Sequence, residues 1–240
     1  MSCPAEHLHI MNLEHGELTL PGGIMLDLVR CRAGSFRMGS GVDEAGRDTD
    51  ERRHVVEIGH DFWIGRFPVT QAQWECVMGE TTLRIKGGDL PIVNVSFGDC
   101  LDFADALGKM VGENVRLPNE AEWEYACRAG AETAYCWGDS PNGGFLPTRL
   151  YPVTSCWQNQ WGIFGMHGNV FEWCDDWYDV NYGMEAKVGM DLDAKRYRVV
   201  RGGSWASDYQ DCRSAFRGRE DPDLKSYEIG FRICITGCCK

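Results

Sequence analysis

Twelve cysteines, six histidines and the glutamates Glu120, Glu122 and Glu124 are the residues of this 240-residue chain whose types invite chemistry. The cysteines stand at 3, 31, 76, 100, 127, 136, 156, 174, 212, 234, 238 and 239, and no two form a C-x-x-C pair, so the usual zinc spacing is missing. Cys76 and Cys100 fall in apolar, helix-like settings and are expected to be buried thiols. A chain this long can bury a core without a disulfide framework, so the cysteines are read as reduced, with Cys238 and Cys239 free and open to oxidation. The alternating glutamates suggest acid–base work, but helix capping and a solvated face explain them more simply. Arg213 and Arg217 lie four apart and are expected to brace loops by donating to carbonyls. The Asp175-Asp176 pair is read as structural.

The elements that must position these groups are partly legible. Ile24 to Val29, after Gly22-Gly23, reads as a strand, and Gly34 to Ser40 as strand and turn. Gly41 to Arg53 is acidic and glycine-bearing, hence a loop. His54 to Ile58 and Asp61 to Phe67 alternate as two further strands. Thr70 caps a helix that ends at Gly79, and Ser96 caps a longer one with Cys100, Phe103, Ala104, Leu107 and Met110 or Val111 at helical spacing. Asn119 and Glu122 have the spacing of a capping box for a third helix, closed by Gly130. Residues 131–165 read as a long loop region. Residues 1–21 are set apart as an extension, and 22–240 as one domain.

Bulk properties narrow the function. A net charge of -12 opposes nucleic acid as a partner. No run approaches a membrane span. The first basic residue is Arg30, and no apolar leader precedes it, so the expected location is cytoplasmic unless another route exports the chain.

Seven blocks in order carry a resemblance: Arg32 to Ser40, Trp63 to Thr70, Pro91 to Ser96, Arg116 to Ala126, Gly165 to Trp173, Arg201 to Trp205 and Gly230 to Arg232. Together they resemble the formylglycine-generating enzyme (sulfatase-modifying factor) domain. The resemblance implies an α+β, loop-rich variant of the C-type lectin fold with short strands and a few helices. Formylglycine generators carry two copper(I)-binding cysteines about five residues apart, just after the Gly-Gly-Ser. Here the first of those positions is Ser207, a poor ligand for a soft cation, and Cys212 matches the second only in one alignment. A sister branch uses iron held by three histidines, and the histidines at 7, 9, 15, 54, 60 and 167 offer no H-x-x-x-H pair for it. The resemblance also implies a weak calcium site at Gly168, Val170 and Glu172, although Gly165 stands where relatives usually place a side-chain oxygen. No other cofactor is expected. Trp173, Trp177 and Tyr178 are read as core.

The segment 198–232 is similar to the variable region of diversity-generating retroelement proteins, which share this domain. In those proteins, Asn codons mutated at adenines become Ala, Ser, Asp, Tyr, Phe, Gly, Arg or Leu between a fixed RGGSW and a fixed GFR. The residues that fit are Ala206, Ser207, Asp208, Tyr209, Asp211, Phe216, Gly218, Arg219, Asp221, Leu224, Ser226 and Tyr227. Gln210, Glu220, Lys225 and Glu228 do not fit. The implied function is non-enzymatic recognition of a protein or cell-surface ligand, with rigid aromatics as anchors and small polar neighbours that adapt. The alternatives are a thiol-oxidising enzyme of the same family and an accessory domain in bacterial signalling.

Overall fold

The computed structural model describes residues 9–10, 14–144, 146–182 and 195–236. The expectations for His7, Cys238 and Cys239 lie outside the described residues.

Among the described residues, three sheets and three α-helices make an α+β fold. The largest sheet is antiparallel, with the order β1-β2-β3-β6-β12-β7. Its strands are β1 (His9–Ile10), β2 (His15–Leu20), β3 (Ile24–Cys31), β6 (Phe62–Gly65), β7 (Asn114–Arg116) and β12 (Cys234–Thr236). The hairpin β4 (Gly34–Met38) and β5 (His54–Ile58) forms a second sheet. The third runs β10-β9-β8-β11, from β8 (Phe171–Trp177), β9 (Arg198–Arg201), β10 (Gly218–Glu220) and β11 (Ile229–Gly230), with β11 parallel to β8. Near the C-terminal end, β12 enters between β6 and β7, so the two ends of the fold share one sheet.

Within the expected N-terminal extension, β2 pairs with β3 along its whole length. Its alternation puts Leu18 and Leu20 into the core, so residues 15–20 are integral to the sheet.

All three helices open on a capping box. Thr70 with Gln73 starts α1 (Gln71–Met78), Ser96 with Asp99 starts α2 (Phe97–Val111), and Asn119 with Glu122 starts α3 (Glu120–Arg128). The left-handed residue that ends α3 is Ala129, one position before the glycine expected to do so. The apolar stripe of α2 buries Cys100, Phe103, Ala104, Leu107 and Val111. Trp74 stacks on Phe103, which meets the edge of Phe231, so α1, α2 and the C-terminal segment share one core. Trp173 and Tyr178 are buried as expected, whereas Trp177 is exposed. Helix α3 lies against β4, β5, β8 and β9, and so carries its glutamates between two sheets.

Candidate functional site

The C-terminal segment is held by four buried arginines. Arg213 uses all five of its N–H groups. Its Nη1 donates to Glu44 (2.8 Å) and Glu51 (2.7 Å), its Nη2 to Glu51 (2.6 Å) and the Gly46 carbonyl (2.6 Å), and its Nε to the Gln210 carbonyl (3.0 Å). Arg217 grips Glu120 through Nε (2.6 Å) and Nη2 (2.9 Å), and its guanidinium lies over Tyr178 and Tyr182. Arg201 pairs with Glu124 and donates to the carbonyls of Ser214 and Phe216. Arg232 binds Glu172 in fork geometry (2.6 and 2.7 Å) and reaches the carbonyls of Gly65 and Phe164.

These contacts correct the reading of Glu120, Glu122 and Glu124 as caps and a solvated face. Each is only 1% exposed. Glu122 does close the capping box, and it also pairs with Arg116 (2.6 Å); the other two are the counter-ions of the frame. Burial pushes the Glu124 carboxyl up, but Arg128, Arg201 and the Gly39 amide outweigh burial and hold it below the ordinary glutamate range. Arg213 and Arg217 do donate to carbonyls, yet carboxylates are their main partners.

The calcium reading is corrected as well. Both Glu172 oxygens face Arg232, and one also accepts from Trp123 Nε1 (2.7 Å). The Gly168 carbonyl accepts from the Val170 amide (3.0 Å). A cation would have to share Glu172 with a buried guanidinium, so these residues do not fit it. Among the described residues, no cluster of three or more His, Cys, Asp or Glu is arranged to hold a metal.

Copper(I) also fails to fit. Ser207 Oγ accepts from the Ser204 amide (3.0 Å) and lies 3.3 Å from Ser204 Oγ, which in turn donates to Glu228 (2.7 Å). Burial pushes the Cys212 thiol up to about 12, with Asp211 and Asp208 adding to it. One position is thus a hydroxyl tied into a serine–glutamate knot, and the other a protonated thiol.

None of the twelve proposed variable residues is buried; each is exposed or half-exposed. The intervening Cys212, Arg213, Ser214, Ala215, Arg217 and Ile229 to Arg232 are all buried. The first run, 206–211, lifts Tyr209 to 50% exposure at the rim of a cavity of about 590 Å³, lined also by Asp43, Glu44, Tyr135 and Asp139. Tyr135 Oη donates to the Tyr209 carbonyl (2.7 Å) and fixes its backbone. In the second run Phe216 lies near Phe171, and Arg219 lies over Tyr178 and Tyr197. The third run is held where Asn94 N donates to the Ser226 carbonyl (2.8 Å) and Trp205 Nε1 to that of Tyr227 (3.2 Å).

Gly218 departs from its expected role. A Cβ there would lie 2.7 Å from Val200 Cγ2 and 3.0 Å from its carbonyl oxygen, so β10 packs against β9 too closely for a side chain. Gly218 therefore belongs with the frame. The residues that adenine mutation could not supply are also engaged. Lys225 pairs with Asp99 (2.6 Å), Glu228 accepts from Ser204, and Gln210 packs against Gly46.

The family profile described as the sulfatase-modifying factor enzyme 1-like domain matches residues 25–236. The chain belongs to this family. Its sequence is 34% identical to a formylglycine-generating enzyme of Streptomyces coelicolor over 203 residues, which cover 72% of this chain and 60% of that protein. It is 30% identical to the serine/threonine-protein kinase pkn1 of Chlamydia caviae over 258 residues, covering 93% of this chain but only 40% of the kinase. Among solved structures, PvdO from Pseudomonas aeruginosa superposes with a TM-score of 0.74 at 27% identity, covering 87% of this chain and 94% of PvdO. Treponema denticola variable protein 1 reaches 0.78 at 20% identity over 93% and 99% of the two chains, a likeness of fold. The sulfatase-modifying factor domain thus takes its C-type lectin-like form here. Among the described residues, no helix is long and apolar enough to cross a membrane.

Not legible in the sequence is the set of acidic partners: Glu44, Glu51 and Glu120, and Asp50, whose carboxylate lies 3.6 Å from Arg217 Nη1. The one available signal was an acidic loop, 41–53, in a chain whose C-terminal segment carries regularly placed arginines.

Proposed function

We propose that this chain is a non-enzymatic binding protein whose C-terminal segment displays a diversified recognition surface for a protein or cell-surface ligand, in the manner of retroelement variable proteins. One observation carries the reading: the eleven residues other than Gly218 whose types adenine mutation can supply all reach solvent, while Arg213 and Arg217 between them are buried against carboxylates. Tyr209 and Tyr227 supply rigid contact area, and Ala206, Ser207, Asp208 and Ser226 supply adaptable neighbours. The fold shared with Treponema denticola variable protein 1 supports the reading. Sequencing the gene's surroundings tests it. A second copy of the segment differing at adenines, beside a reverse transcriptase, is expected, and a locus with neither would overturn the proposal.

A second reading, oxidation of protein thiols, is favoured by the Streptomyces coelicolor relative. It needs a soft thiolate pair, which Ser207 and the protonated Cys212 do not offer. Copper(I) titration of the purified protein, followed by an aldehyde assay on a cysteine-bearing sulfatase-type peptide, separates the two: uptake with aldehyde establishes the enzyme, and neither removes it.

A further inference from the structure

A second cavity, of about 540 Å³, opens beside Trp137 and Trp157. It is separate from the Tyr209 rim. Tyr135 lines the Tyr209 cavity and stacks flat on Trp137 (5.1 Å, 5°), and Trp137 lines this one. The two indoles meet edge to face (5.7 Å, 70°), and Trp157 is 44% exposed.

The walls are uncharged. Besides aromatic rings they present Gln158, Asn159 and Gln160, and the thiols of Cys136 and Cys156. Burial pushes the Cys156 thiol up to about 12, so it is neutral. The Arg66 guanidinium lies over the Phe164 ring but outside the lining, with Nε given to the Gly162 carbonyl.

The hydrogen-bonding capacity left over is specific. Asn159 is spent: its Nδ2 donates to the carbonyls of Ala126 and Cys127, and its Oδ1 accepts from the amides of Trp161 and Ile163. Gln160 Nε2 donates to the Cys136 carbonyl (2.6 Å), which leaves its Oε1 as an acceptor and fixes the side chain. The Gln158 carboxamide and the Trp157 indole N–H have no hydrogen-bond partner among the described residues. The lining therefore offers N–H donors and carbonyl acceptors beside one exposed tryptophan, and no charged side chain.

Such a site disfavours phosphates and carboxylates, which would lose hydration without a counter-ion in the lining. An edge-to-face indole pair makes no parallel slot for a flat base. Vicinal hydroxyls both donate and accept, and the C–H face of a pyranose ring covers an indole. From this geometry we propose that the cavity beside Trp157 is a binding site for a neutral saccharide ring.

The test is saturation-transfer NMR on the full chain with methyl glycosides of glucose, galactose and N-acetylglucosamine, and with the corresponding tetrasaccharides. At least one glycoside is expected to saturate with a dissociation constant on the order of 1 mM. Trp157→Ala should weaken it at least tenfold and Gln158→Ala several-fold; both residues are exposed, so both variants should fold. Tyr209→Ala should leave it unchanged, which keeps this site distinguishable from the C-terminal surface. Tighter binding of a tetrasaccharide identifies a glycan chain as the source, and equal binding a free sugar. Saturation by none of the sugars up to about 50 mM, or binding that survives Trp157→Ala, overturns the proposal.

Discussion

Single residues carry two unequal burdens in this protein. Asp176 is the clearest case of strain by charge. Burial pushes its carboxyl up to about 6; the Glu120 amide pulls against this, while the carboxylates of Glu120, Asp175 and Glu122 add to it. The folded state therefore binds a proton between pH 4 and 6 that the unfolded chain does not. Stability contributed by this group rises as pH falls through 6, and above pH 6 its penalty is complete. Asp176→Asn keeps an acceptor for the Glu120 amide and removes the charge. It should stabilise the protein by roughly 1–2 kcal/mol at pH 7, by about a third of that at pH 4.5 and by nearly nothing below about pH 3.5, read from urea midpoints at the three values. Gly203 carries the opposite kind of burden. Its φ of 74° is left-handed, and a Cβ would fall 2.5 Å from Cys212 Sγ. Gly203→Ala combines backbone strain with overpacking and should cost about 2–4 kcal/mol by urea unfolding.

At the scale of elements, α3 matters most, because it delivers Glu120 and Glu124 to arginines from the far end of the chain. Glu120→Ala strands Arg217 and takes from Arg201 a carboxylate 3.6 Å from its Nε, with both guanidinium groups buried. The expected loss is about 3–5 kcal/mol, with an unchanged slope of unfolding free energy against urea. A loss under about 1 kcal/mol would show that the pair is not holding the segment. The helices themselves were legible in the sequence, because a cap and the polar residue three positions later are local, and so was the apolar stripe of α2. The buried role of the α3 glutamates was not. Their partners lie 77 and 97 residues away, and a glutamate bound for an arginine looks the same in sequence as one bound for water. Gly218 follows for a related reason: glycine is among the types that adenine mutation of an Asn codon can supply, but the close approach of Val200 exists only once β9 and β10 pair. The exposed positions of the C-terminal segment, by contrast, could be read from the absence of pattern between two fixed frames.

At the scale of the whole molecule, the ion-pair frame separates what holds the fold from what faces solvent. Arg213 ties the C-terminal segment to the loop 41–53, Arg217 and Arg201 tie it to α3, and Arg232 ties it to β8. The side chains of Ala206, Asp208, Tyr209, Arg219, Asp221 and Leu224 stand outside this lattice, all exposed. Exposed substitutions each change stability by about 0.5 kcal/mol or less, and distant ones add. Losses and gains over six such sites should partly cancel, for a total of about 1–2 kcal/mol. Arg213→Ala, a single change, leaves Glu51 buried without its cation and should cost about 3–5 kcal/mol. A sextuple variant bearing other small, polar or aromatic residues at those positions should therefore unfold cooperatively and at a higher urea midpoint than Arg213→Ala alone. The reverse order would mean that the exposed side chains hold the segment in place. A segment so held could not vary its surface without losing its fold.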